Sequence, residues 1–252
     1  MTLARRHGSV GAAGFGGLSW MQQSKMVADR LRVFQPILAG VRLSDRLQAW
    51  IGSVIGVTVA LAVCMALPLP VPDIPLLVAP IGASAVLMFA VPASPMAQPW
   101  PVIGGNVISA LVGIATFKLV PDPALAAGLA VGFAILVMSL LRCLHPPGGA
   151  SALTAVIGSD AIHHAGFAFA FLPVGINSVT LVLVGLLFHR MTRHSYPHRP
   201  VPVADAGLHL ADIDAALEDM HESFDISRED LDALLSRAEL HAIRRKAMPA
   251  PK

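Results

Sequence analysis

The chain has 252 residues, of which 55% are hydrophobic and 13% charged, with a formal net charge of +2 and a mean hydropathy of +0.67. A soluble domain carries about 25% charged residues, so this composition excludes one. Between Leu47 and His189 the formal charges are Asp73, Lys118, Asp122, Arg142 and Asp160, with no glutamate, and most of that interval must lie in lipid or pack against segments that do.

Residues 1–46 read as a cytoplasmic N-terminal segment. The Gly/Ala-rich stretch 1–20 is expected to be disordered, and 26–46, which mixes basic and apolar positions, to lie at the membrane interface. The first span is Leu47–Leu67, 21 residues without charge, closed by Pro68, Pro70, Pro72 and Pro75. A second apolar stretch, Ile74–Pro92, has Pro80 near its start, and helix is expected to begin at about that proline. A proline-rich loop through Trp100 precedes a third segment, Val102–Val120, and a fourth, Ala124–Leu141. The fifth starts at Pro146 or Pro147 and runs to about Ser159, and the sixth is Phe167–Phe188. The second and fifth are short and proline-broken.

These boundaries predict an all-α membrane protein of about six segments in two three-segment repeats, 47–120 and 124–190, of opposite orientation. Basic residues collect before the first span (Arg42, Arg46) and after the last (Arg190, Arg193, Arg199), so both termini are expected in the cytoplasm and the crossings to be even in number. A four-crossing alternative would place Arg142 outside. From 191 to 252 the composition turns soluble. Leu208, Ile213, Leu217 and Met220 mark one amphipathic helix and Leu231, Leu234, Leu235, Ala238 and Ile243 another, with Ser227 and Asp230 as a near capping box.

An internal duplication carries the functional signal. Gly82-Ala83-Ser84-Ala85 returns as Gly149-Ala150-Ser151-Ala152, each copy just after proline, and an asparagine follows each serine, Asn106 after 22 residues and Asn177 after 26. The run His145-Pro146-Pro147-Gly148-Gly149-Ala150-Ser151 cannot be helical throughout, because the prolines hold the residues before them extended and suit only the first turn of a following helix. The expectation is that the amides of Gly148, Gly149 and Ala150 stand uncovered at a positively polarised helix N-terminus, and that Pro80-Ile81-Gly82-Ala83-Ser84 builds the same object in the first repeat. Two such ends facing one another would hold a small anion, with His145 as a donor or proton site and Asn106 and Asn177 as polar lining. The competing reading is that these prolines and glycines serve tight packing and a kink, and that the asparagines cap broken helices. Small residues spaced by four, Gly52 and Gly56, Gly105 with Ser109 and Gly113, Gly128 and Gly132, also favour close helix contact.

Arg142 is expected to snorkel to the interface, Lys118 to be an interfacial anchor, and His163 and His164 to sit in a loop. No metal-ligand spacing, cofactor motif, phosphate loop or nucleophile motif appears, so neither a metal site, a cofactor nor an enzyme is expected.

The segments Ala79–Leu87, Pro95–Trp100, Gly104-Gly105-Asn106, His145–Ala150, Asn177 and Tyr196-Pro197-His198 resemble the HPP family of integral membrane proteins, over about residues 45–200. That resemblance implies a bacterial or plastid membrane protein, and plant and cyanobacterial members are linked to nitrite transport. The expected activity is transport or channelling of a small inorganic anion, nitrite first, in the cell (inner) membrane. The partners expected are that anion, the lipid bilayer and further copies of the chain, but no nucleic acid. The alternatives are a scaffold or sensor acting through the helical tail, and a cation or metal transporter.

Overall fold

The computed structural model describes residues 42–66, 74–200, 210–220 and 225–247, and every regular element among them is helical. The expectations for 1–41 and for Pro68, Pro70, Pro72 and Leu208 lie outside these residues. Helix α1, Leu43–Ala66, starts four residues before the expected Leu47, because Asp45 in its first turn accepts from the Arg42 amide. Helix α2 covers Ile74–Ala90. A π turn, Pro101–Gly105, leads into α3, Asn106–Leu119, and α4 spans Pro123–Leu140 with Asp122 as its N-cap, accepting from the Leu125 amide. Helix α5 is Pro146–Ile157 and α6 the short Asp160–Ala165. A second π turn, Ala170–Gly175, leads into α7, Ile176–Thr192. Helices α8, Leu210–Met220, and α9, Arg228–Ala247, form the tail.

Among the described residues four helical stretches are long and apolar enough to cross a bilayer: Leu43–Ala66, Pro101–Leu119, Pro123–Leu140 and Ala170–Thr192. The chain is a multi-pass membrane protein by this measure. Helices α2 and α5 are shorter, as expected.

Helix α2 departs from the expectation at its start. Pro80 lies inside the helix, six residues after Ile74, and opens nothing. A proline within a helix loses one backbone hydrogen bond, and neighbouring helices and hydroxyls offset that loss in a membrane bundle. The acceptor that Pro80 leaves without its N–H partner is the Leu76 carbonyl, whereas the Ser84 hydroxyl lies 2.9 Å from the carbonyl of Pro80 itself, one turn further along α2. His163 and His164 are helical in α6 rather than in a loop. The His163 ring stacks on Phe117 at 3.6 Å and its Nε2 donates to the Val156 carbonyl.

Helix packing follows a repeated scheme. Helix α1 packs on α2 and α7, while α4 packs on α5 and α3; α2 touches α7 as α5 touches α3, and α2 and α5 touch each other. The π turns stand in matching places, directly before the asparagine-bearing starts of α3 and α7. Small residues set the α3–α5 seam. A Cβ on Gly113 would lie 2.4 Å from the Ala152 carbonyl oxygen, and one on Gly148 would lie 2.8 Å from the Gly105 carbonyl oxygen. Gly128 and Gly132 differ: a Cβ there meets nothing within 4 Å, so this pair of the expected packing motifs faces away from the bundle.

The two ends of the bundle are distinct in their contacts. At one end Tyr196 donates to the Ala97 carbonyl, Trp100 Nε1 donates to the Leu141 carbonyl, and His145 bonds the Met96 carbonyl. The turns after α2, α4 and α7 therefore gather together. At the other, Phe117 meets His163 and the Lys118 ammonium lies 6.0 Å from the Phe167 ring centre, joining the end of α3 to the residues after α5.

Candidate functional site: a buried polar cluster between broken helices

His145 is the N-cap of α5, extended at φ −142° and ψ 105°, the conformation that a following proline enforces. Its side chain is buried, and Nδ1 lies 2.8 Å from the Met96 carbonyl oxygen. A carbonyl only accepts, so Nδ1 carries a hydrogen. The other nitrogen, Nε2, lies 2.8 Å from Ser84 Oγ. In a neutral ring Nε2 accepts the serine hydrogen. In a protonated ring it donates to Ser84 Oγ, and the serine hydrogen then goes to the Pro80 carbonyl, so hydrogens can be placed consistently in either state.

Asn106 completes the cluster. Its Nδ2 donates to Ser84 Oγ at 3.2 Å and to the Val102 carbonyl at 2.9 Å, and its Oδ1 accepts from Ser151 Oγ at 2.9 Å. Ser84, Asn106, His145 and Ser151 are all essentially fully buried. One continuous network thus links α2, α3, α5 and the loop before α3, as an unpaired polar group there would be costly. A small cavity adjoins it, lined by Pro80, Ile81, Ser151, Thr154, Phe169, Val174 and Asn177.

The amides contribute less than the sequence promised. Pro146 and Pro147 have no N–H, and the Gly148 amide is bonded to the His145 carbonyl at 2.8 Å. Gly148 is buried against α3, so its bare Cα serves close helix approach. Gly149 and Ala150 are partly exposed, and a Cβ on Gly149 would meet only Val131 within 4 Å. In the first repeat, Gly82 and Ala83 sit within α2, where i−4 carbonyls take the amides, and Ala83 is exposed. The opposed, proline-opened helix ends of the sequence reading are therefore not formed; α5 alone begins at its prolines. Pro80, Ser84, Asn106, His145, Ser151 and Asn177 are brought together, whereas Ala83 and the exposed Pro146 point elsewhere.

Two participants were not foreseen. Met96 holds His145 through its carbonyl, a main-chain role that leaves no mark on residue type. Thr154 lies one turn after Ser151, a spacing that places both on one face of α5 and was there to be read. A second, open cavity of about 480 Å³ lies between the starts of α3 and α7, against Trp100, Ile103, Val107, Phe171 and Ile176; its walls are apolar and apart from the cluster.

The loop that holds His145 also carries the tail. Ser94 Oγ lies 2.9 and 2.8 Å from the two Asp225 carboxylate oxygens, the His198 amide donates to Gln98 Oε1, and His198 Nε2 lies 2.8 Å from Asp230 Oδ1. Ser227 caps α9 by accepting from the Asp230 amide at 3.1 Å, and its hydroxyl also meets the Asp230 carboxylate, so the serine half of the near capping box forms. Helices α8 and α9 meet through Arg228 and Asp214, 3.1 Å apart.

The model of the HPP transmembrane region matches residues 39–197, the stretch that contains the whole cluster. The chain belongs to the HPP family. Two transmembrane proteins of Dictyostelium discoideum are similar to it, one 38% identical over 121 residues (46% of this chain and 39% of the relative), the other 40% identical over 126 residues (48% and 44%). The chain thus matches less than half the length of these curated relatives. No solved structure matches it. Among the described residues of the HPP chain, no group of three or more His, Cys, Asp or Glu side chains is placed to hold a metal ion.

Proposed function

We propose that this HPP protein is a transporter or channel for a small inorganic anion, with nitrite the leading solute, and that it acts without covalent chemistry. The observation that carries the reading is the buried network of Ser84, Asn106, His145 and Ser151 in the middle of an apolar bundle. Polar side chains inside a membrane protein are expensive and mark solute paths by default. Hydroxyl, amide and imidazole hydrogens are the donors that a compact, planar anion accepts, and His145 has a consistent place for a proton that accompanies it. The family resemblance adds nitrite.

We further propose six crossings in two inverted repeats, α1–α3 and α4–α7, with both termini in the cytoplasm of a cell (inner) membrane protein that associates with copies of itself. The contact scheme supports the repeats, since exchanging α1, α2 and α3 for α4, α5 and α7 leaves it unchanged. The gathering of the turns after α2, α4 and α7 at one end supports six crossings, because chain that did not traverse at α2 and α5 would leave Ala97 and Tyr196 on opposite sides. Arg142, Arg190 and Arg193 lie at that end, which favours the cytoplasm.

The test is anion flux into liposomes. Nitrite, nitrate, formate and chloride are compared for wild type, Ser84→Leu and Ser151→Leu, with monodisperse elution as the check on folding. Nitrite entry through wild type that both variants abolish is expected; no movement of any of the four anions refutes the reading. A second reading, a sensor working through the tail, is favoured by the ties of the tail to the loop whose Met96 carbonyl holds His145, Asp225 directly to Ser94 and Asp230 through His198 to Gln98. It predicts that removal of residues 204–252 changes signalling or gating while the isolated membrane part carries no ion.

A further inference from the structure

The open apolar cavity between the starts of α3 and α7 follows the internal duplication. The offset of 71 positions that relates Asn106 to Asn177 also relates Trp100 to Phe171, Gly104 to Gly175 and Ile108 to Val179, and these six residues line one groove of about 480 Å³. Trp100, Phe171 and Val179 are 55%, 56% and 40% exposed, so the groove opens outward, and the helical stretches on its two sides, Pro101–Leu119 and Ala170–Thr192, are long and apolar enough to cross a bilayer. Its surroundings are therefore lipid.

The two ends of the groove differ. No residue lining it carries a charge, and Phe171 has no polar hydrogen to give, but at the matching place Trp100 Nε1 donates to the Leu141 carbonyl at 3.2 Å, just past the end of α4. The next residue is the exposed Arg142, whose Cα by covalent geometry lies within about 6 Å of that indole nitrogen. Arg142 has φ 53°, the left-handed conformation in which glycine usually follows a helix and a side chain is strained. A cation is thus held, at a conformational cost, beside one mouth of an apolar groove. A second copy docked across a twofold axis would set this concave face against itself and leave a void, whereas a flexible hydrocarbon chain fills it. We infer that the groove is a binding site for one acyl chain of an anionic phospholipid, lying between Trp100 and Phe171 with the headgroup phosphate on Arg142. A guanidinium matches phosphate oxygens, and a lipid with net negative charge is held better there than a zwitterionic one.

This site stands whether or not an anion is transported, and Trp100 reports on it directly. In the full chain with Trp20→Phe and Trp50→Phe, the latter at a position 65% exposed, Trp100 is the remaining tryptophan. Its fluorescence is read in phosphatidylcholine liposomes that contain a small fraction of lipid with brominated chains. Brominated phosphatidylglycerol is expected to quench with about fivefold higher apparent affinity than brominated phosphatidylcholine, the worth of one basic side chain at an anionic surface. Arg142→Gln is expected to abolish that preference, and Arg193→Gln, at the arginine that ends α7 in the same backbone conformation, to keep it. Equal quenching by the two lipids overturns the inference, and that result needs neither arginine variant to fold. A preference that survives Arg142→Gln, or that Arg193→Gln removes equally, also overturns it. So does quenching by neither lipid, the result expected if a second copy covers the groove.

Discussion

Alanine at Gly113 and alanine at Gly128 are the same chemical change in two membrane helices, yet the packing requires opposite outcomes. At Gly113 the new methyl would stand 2.4 Å from the Ala152 carbonyl oxygen and 2.7 Å from Ala155 Cβ, so α3 and α5 must separate, because neither obstacle is the end of a flexible side chain. Overpacking of this kind costs about 1–3 kcal/mol, from which about 0.5–1 kcal/mol is recovered by replacing glycine with a better helix former. Separation also draws Ser151 from Asn106, now 2.9 Å apart, adding about 0.6 kcal/mol, a typical membrane hydrogen bond. The net loss is about 0.6–3 kcal/mol. At Gly128 nothing lies within 4 Å of the methyl, so the helix preference acts alone and stabilises by about 0.5–1 kcal/mol. At about 2–4 °C per kcal/mol, the two variants are expected to melt roughly 3–14 °C apart, Gly128→Ala above and Gly113→Ala below wild type. Thermal unfolding of the purified proteins in one detergent measures this. Equal melting temperatures for Gly113→Ala and wild type would refute the α3–α5 seam as described.

Asn106→Leu keeps the volume but removes three hydrogen bonds and orphans the Ser151 hydroxyl and the Val102 carbonyl, so a loss of about 2–4 kcal/mol is expected in the same assay; an unchanged melting temperature would remove Asn106 from the centre of the network. At the tail, Asp230→Asn leaves the His198 contact without its charge, and both groups are about one-fifth exposed. A loss of about 0.5–1 kcal/mol is expected, read as two- to fivefold faster limited proteolysis of α8 and α9, and an unaltered rate would mean that the contact does not hold the tail.

Much of the fold was legible because lipid imposes one-dimensional rules. A run such as Leu47–Leu67 has no option but helix, Asp122 before Pro123 caps whatever follows, and Ser227 three residues before Asp230 starts α9. The serines and asparagines of the site were legible too, since a duplicated polar residue inside an apolar run is costly and so calls for a partner. The expected anion site rested on the amides of Gly148, Gly149 and Ala150, and the sequence did not show that the His145 carbonyl takes the Gly148 amide.

What residue types alone determined is an apolar chain of helices, the segments short and broken at proline, and the polar residues that such a bundle must satisfy. Tertiary structure decided the rest. Whether a proline opens a helix or lies inside one depends on what surrounds the lost hydrogen bond, and at Pro80 the helix runs back to Ile74. Whether a matched asparagine is engaged or vacant depends on which helices approach it. Asn106 meets Ser84 and Ser151 across two interfaces, while Asn177 Oδ1 is buried without a protein donor, a difference set by distances between helices that no local pattern encodes.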